Sequence, residues 1–584
     1  MTMKKEISQI AKILGPIVLV LCLAATASAA VPGITGPTFS LTAQQAYLNQ
    51  PDGEAIYSWG YGCATPPPAS AFLPQISGAP MVGAACLTMQ VPGPTMIVTE
   101  GQTVTVSLLN GLPPAAGNTS ILFPGFTLTS PCPNSAANPQ GLLTCEAAPG
   151  QTVTYTFTAS APGTHPYYSG TQGDLQIEMG LYGAIVVLPA AVPANCTTGY
   201  HAANLTAKAH WGEPDFRLSQ AAYDHPGSCY DREYLFQWAE VDARIHKQAE
   251  TQVLDPVRIA ACVATTTVKP GCSLDVQTEP YHPAYFLING RSMPDLMDPN
   301  YASEYPHQPY NGNPHTHPGE LLLIRTIGQG RWQHPFHEHA NHVRILSRDG
   351  NLILTSSTTP ISYSTPGGTM VSATGLAGIL MFNTDTTPGE SFDGIFYFTG
   401  RGLNWDPYGH HPVSSTSDPS AMLPCTADAN GYNSMATTAI NFMEWCQDHN
   451  KPVERNPFGD VPGSGPATLP DPNVFTNGQW YGGTPYLGPD ASLRAAMPAC
   501  QGSPYGIPNP TSPSGGAGTP AVNTANCTTL LPSNTQANPA NERGWAFMWH
   551  SHNEREITTN NVFPGGMLMM LLVDSREFLI DETL

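Results

Sequence analysis

The sequence predicts an all-β protein: tandem Greek-key β-sandwiches, with a long loop-rich insertion in the second. Three observations carry this reading. Short runs rich in β-branched and aromatic residues recur at regular spacing between turn residues. Between residues 91 and 189 no convincing helical period interrupts them. The 55 glycines and 59 prolines make up about a fifth of the 584 residues, enough for many turns without the excess that marks disorder.

Residues 1–30 read as a secretory signal. Lys4, Lys5 and Lys12 open it, Ile13 to Ala25 is apolar, and Ala27-Ser28-Ala29 forms a small-residue cleavage site. The apolar stretch is too short to span a bilayer, and no later run reaches the roughly 18 residues a span needs. The chain is therefore expected to be secreted, periplasmic or otherwise extracellular, with no membrane span. A first sandwich is expected over 31–190. In it, VPGPTMIVTEGQTVTVSLLNGLP gives two strands, the second alternating from Thr103 to Leu108; NTSILFPGF, QTVTYTFTA and GTHPYYSGTQGDLQIEMGLYGAIVVLP follow. The Pro-rich break from Pro189 to Pro193 closes it.

A second sandwich is expected over 195–584. Its strands are REYLFQWAEVD, AYFLING, ELLLIRTIG, HVRILSRDGNLIL, GLAGILMFNT, SFDGIFYFTGRG, GWAFMWHSH and GGMLMMLLVD. Residues 405–543 are mostly Pro, Gly, Ser, Asn and Thr, which reads as an insertion held by disulfides. Division into three sandwiches stays open at this point. Twelve cysteines follow the signal, an even number in an exported chain, so disulfides are expected without a pairing. The formal charge of -21 becomes about -23 without the signal, which argues against nucleic acid or an anionic membrane as partner.

The chemistry concentrates in His334-Pro335-Phe336-His337-Glu338-His339-Ala340-Asn341-His342, four of the chain's 18 histidines in nine residues. Trp549-His550-Ser551-His552 is the apparent partner. In an extended strand, side chains two apart share a face, so His337 joins His339 and His550 joins His552. Imidazole is the commonest metal ligand and suits copper, zinc, iron and nickel. Glu554 and Glu556 are candidates to orient such ligands. His315-Thr316-His317 and His410-His411 are read as exposed loop histidines, and Met567, Met569 and Met570 as core-strand side chains. No Gly-rich phosphate loop with lysine, Gly-x-Ser-x-Gly elbow or His-Glu-x-x-His helix is present.

These segments resemble the multicopper oxidases, which are built from cupredoxin β-sandwiches. VPGPTMIVTEGQTVTVSLLNGLP is similar to the start of the family's first domain, HPFHEH to its His-Pro-x-His-x-His motif, and WHSH to its His-Cys-His motif. GLYGAIVV and the FLING turn agree. The spacing resembles the two-domain, laccase-like branch, whose members assemble as trimers with copper clusters at subunit interfaces. The resemblance implies copper as cofactor, at a Cys-ligated mononuclear site and a trinuclear cluster of eight histidines.

Carried over residue by residue, that ligand set is reduced. His334 matches the first histidine of the mononuclear site, but Ser551 replaces its cysteine and Glu556 its second histidine. Met567 matches the axial methionine only after an insertion. His337, His339, His550 and His552 match four of the trinuclear ligands. Where the first domain should supply the others, Leu122-Phe123-Pro124 and Tyr168-Ser169-Gly170 stand instead, with His165 nearby. The metal candidates are thus His337, His339, His550, His552 and His334, binding copper in fewer ions than a full oxidase, with His165 or Glu338 as further donors. The expected function is an exported copper-binding protein with oxidoreductase activity left open. The alternative is a copper-sequestering or surface-assembly protein of oxidase descent.

Overall fold

The computed structural model describes residues 30–263, 272–398, 425–446, 483–487 and 542–574, with Arg576 and Ile580, apart from positions 77, 366, 435 and 440. The signal segment, His410-His411, Cys500, Cys527 and most of the expected insertion lie outside the described residues.

The first unit is a sandwich of a five-stranded and a four-stranded sheet. One sheet runs Gly163–Tyr168, Tyr182–Leu188, Met96–Thr99, Gly33–Thr35, Phe72–Leu73. The other runs Ala55–Cys63, Thr38–Asn49, Thr103–Asn110, Thr152–Thr158. Strict alternation in Thr103–Asn110 turns Val104, Val106 and Leu108 inward, where they meet Trp59, Tyr61, Ile185 and Val187 in one core.

The second unit stacks a seven-stranded sheet on a six-stranded one. The larger includes Tyr285–Ile288, Arg232–Val241, Leu321–Gly328, Ser391–Tyr397 and Val343–Arg348. The smaller runs His315–Thr316, Leu568–Asp574, Glu542–Ser551, His334–Glu338, Asn383–Thr386, with Gly483–Leu487 also paired to Glu542–Ser551. Phe336 fills the space between them, its ring 4.7 Å from Trp238 and 5.9 Å from Trp549.

The first unit packs on the outer face of the seven-stranded sheet. Tyr234, Phe236 and Trp238 point into the second core, so Leu235 and Ala239 point away from it, and these meet Val186 and Tyr182 of the first unit. Thr164 Oγ1 donates to Asp393 at 2.6 Å across the same interface. The outer face of the six-stranded sheet is therefore turned away from the first unit.

Among the described residues, three helices of eight residues or more were not anticipated: Gly199–Trp211, Ala243–Val253 and Pro256–Val263. The second buries Ile245, Ala249 and Val253, spaced by four, on the first core, and Asp242 caps it by accepting from the Arg244 backbone. Among the described residues, five disulfides join Cys63 to Cys86, Cys132 to Cys145, Cys196 to Cys229, Cys262 to Cys272, and Cys425 to Cys446. The last lies within the expected insertion. Among the described residues no helix is long and apolar enough to cross a membrane.

Candidate metal centre

Two neighbouring strands build the centre. His334–Glu338 pairs antiparallel with Glu542–Ser551, with His337 opposite His550 and Glu338 opposite Trp549. Alternation then sorts the motif onto two faces. His334, Phe336 and Glu338 point into the sandwich with Trp549 and Ser551, all fully buried. His337, His339, His550 and His552 occupy the opposite face.

On that outer face the four imidazoles converge. Ring centroids of His337 lie 4.8 Å from His339, 5.4 Å from His550 and 4.8 Å from His552. One nitrogen from each of His337, His339 and His550 falls within 4.8 Å of the others. His337 is 7% exposed and His550 8%, His339 is half-buried, and His552 is exposed. The cluster is thus walled on one side and open on the other.

Its protonation favours metal binding. Burial, reinforced by the neighbouring His550 and His552, lowers His337 to about 4. Burial also lowers His550. Both rings are therefore neutral at neutral pH, with a lone pair available. His550 Nδ1 donates to the Ser551 carbonyl at 2.7 Å, which fixes the tautomer and leaves Nε2 as the ligand atom. That Nε2 is 3.3 Å from Nε2 of His339. Two nitrogens each about 2.0–2.1 Å from one tetrahedral ion stand roughly 3.3 Å apart. His337 Nδ1 is buried and meets no hydrogen-bond partner of acceptable geometry. The donor set fits one ion of a metal that accepts imidazole nitrogen.

His334 is not brought into this cluster. Three residues from His337, it faces the other way, and both its nitrogens are taken. Nδ1 is 2.8 Å from Glu556 Oε2 and Nε2 is 2.8 Å from Glu240 Oε2. Ser551 Oγ donates to the same Glu556 oxygen. That oxygen stands between His334 Nδ1 and Ser551 Oγ, where a metal would need to sit to bridge the two. A carboxylate also fixes the ring at its far side, since Glu240 accepts from Tyr281, Arg331 and Trp332 as well. Burial pushes His334 down, but the two carboxylates outweigh it and hold the ring up at about 9. His334 is a buried cation between anions, which does not fit a metal ligand. Glu240 was not singled out from sequence, although an acidic residue in the fully buried strand Arg232–Val241 was a usable signal.

The other candidates also fall elsewhere. Glu338 points inward, accepts from Thr384 and is pushed well above the usual carboxylate range by burial, so it does not reach the imidazoles. Glu556 serves His334 and Ser551 rather than the cluster; Glu554 is exposed. His165 stands at the interface of the two units, its ring centroid 4.6 Å from that of Phe126 and its edge against Gly350. His315 and His317 are buried, contrary to their reading as exposed loop residues. Asp574 lies 2.6 Å from His315 Nδ1, and Glu213 lies 2.7 Å from His317 Nε2. Met567 and Met569 are core residues, as expected, but Met570 lies half-buried on the opposite face. In the first unit, Leu122 and Tyr168 pair in a β-bridge, so the two positions where further ligands were sought are neighbours that carry no imidazole.

Parts of this chain are similar to known proteins. Residues 78–191 match the multicopper oxidase family model. The chain is 40% identical over 99 residues to an L-ascorbate oxidase of Brassica rapa subsp. pekinensis, covering 17% of this chain and 16% of that protein. It is 34% identical over 99 residues to Laccase-3 of Botryotinia fuckeliana, covering 16% and 20%. The chain thus matches a fifth or less of the length of these relatives. Among solved structures, the blue copper oxidase from Nitrosomonas europaea aligns at 12% identity and a TM-score of 0.39, covering 92% of this chain and 85% of that one.

Residues 78–191, which match the multicopper oxidase family model, lie within the first sandwich. The histidine cluster lies outside that match, in the second sandwich.

Proposed function

We propose that this chain is an exported copper-binding protein of multicopper oxidase descent, with copper held by His337, His339, His550 and His552. The carrying observation is the convergence of four imidazoles on one open sheet face, with His550 locked in the ligating tautomer. The family is a copper family, and imidazole nitrogen suits Cu(II). Copper bound here supplies one-electron redox chemistry. The chain's part is to hold the His337 and His550 rings neutral, present Nε2 of His550 as a ligand, and leave the His552 side open.

One observation favours sequestration over turnover. The mononuclear position, by which electrons enter in the resembling enzymes, is closed by Glu556. The face bearing the cluster is also the one the first unit leaves clear, and it is where copies would meet in the trimer that the resemblance implies.

Copper retention in variants tests the proposal. His337→Ala with His550→Ala should abolish Cu(II) binding in a folded protein, and His334→Gln should leave it intact. Equal loss of copper in His334→Gln would overturn the assignment. Dioxygen consumption by the copper-loaded protein with a small one-electron donor then separates oxidoreductase from sequestering protein.

A further inference from the structure

The face that carries the imidazoles continues into sulfur. In Glu542–Ser551 and Leu568–Asp574, Met548 is directly opposite Met570. On the other flank, the His339 backbone donates to the Met548 carbonyl at 3.2 Å, extending the register that sets His337 opposite His550. His339, Met548 and Met570 therefore form one row across three adjacent strands. Alternation fixes the side on which they stand. Met567, Met569, Leu571 and Trp549 are fully buried in the core, and Met548 and Met570 are half-buried on the other face, with the histidines.

From this row we infer a copper(I) site formed by Met548, Met570 and His339, adjoining the histidine cluster and sharing His339 with it. Thioether sulfur is a soft donor that selects Cu(I), whereas the neighbouring imidazoles suit Cu(II). Directly opposed residues place their Cβ atoms about 4.5–5.5 Å apart. Methionine's three rotatable bonds let two such side chains close on one ion. An ion taken by the thioethers stands one ligand exchange from the imidazole cluster, so the site suits capture of reduced copper and its delivery to the histidines. No electron transfer is required for that step: a Cu–S bond breaks as a Cu–N bond forms.

The inference rests on the histidine cluster being a copper site, and the test separates the two. The full mature chain would be titrated anaerobically with Cu(I) against a chromogenic chelator, with Ag(I) as a redox-inert probe, and separately with Cu(II). Met548→Leu with Met570→Leu, close in volume to the native side chains, should weaken Cu(I) and Ag(I) binding at least about tenfold, the lower end of the cost of losing even an outer-sphere partner. Cu(II) binding should be unchanged, and Met569→Leu in the core should leave both affinities as they are. Cu(I) affinity unaltered in the folded double variant would overturn the inference. So would an equal loss of Cu(II) affinity, because the methionines would then only support the face. Wild-type protein that binds Cu(II) but not Cu(I) overturns this site alone; protein that binds neither overturns the histidine cluster too.

Discussion

Replacing His334 with glutamine removes a cation from between two buried carboxylates, and its cost can be worked out from the geometry. The ring is wholly buried, with Glu240 and Glu556 each 2.8 Å from one nitrogen. Burial alone lowers an imidazole's proton affinity, yet His334 is held at about 9 instead of the usual 6.5. At about 1.4 kcal/mol per tenfold change, that rise corresponds to roughly 3 kcal/mol of stability. The folded state binds the proton more tightly than the unfolded chain. The contribution is therefore complete below about pH 6.5 and declines as the pH rises to about 9. Urea unfolding followed by fluorescence of buried Trp238 and Trp549 would measure it. Near pH 6 the wild type should exceed His334→Gln by roughly 3 kcal/mol, and by about pH 9.5 the gap should have closed. A gap of equal size at both pH values would refute the buried ion-pair account and leave only a packing defect.

Other substitutions probe the same architecture. Ser551→Cys alone should give a copper-loaded protein without an intense blue thiolate band in its visible spectrum, because Glu556 already holds His334 Nδ1 and reaches position 551. Phe336→Ala should cost about 3–5 kcal/mol by denaturant unfolding, since the ring is fully buried against Trp238 and Trp549. It should also weaken copper binding by loosening the strand that carries His337. Removing the Cys196–Cys229 bridge, which spans 33 residues, should cost roughly 3–4 kcal/mol, seen as a lowered denaturation midpoint.

Much of the fold was legible because burial on one face writes an alternating strand and burial on both faces an apolar run. The alternation of Thr103–Asn110 and the apolar run of Leu321–Gly328 both mark strands without reference to anything distant. The gathering of His337, His339, His550 and His552 followed from period two within each motif. The same period, applied across the three residues from His334 to His337, would have placed His334 on the opposite face. What sequence could not give was the identity of partners remote along the chain. Glu240 lies 94 residues before His334, and Asp574 lies 259 residues after His315. Those contacts depend on strand order, which no local pattern encodes. The helix Ala243–Val253 was missed although its stripe of Ile245, Ala249 and Val253 was present, because it lies between strands and is short.

The central claim is a histidine-only copper centre beside a closed mononuclear position. Copper analysis of the loaded mature protein, with its visible and EPR spectra, tests it most directly. About one copper per chain at the histidine cluster under aerobic Cu(II) loading, an ordinary nitrogen-ligand EPR signal and no intense blue band are predicted. An intense blue band, a stoichiometry near four, or a folded protein that takes up no copper would contradict the account.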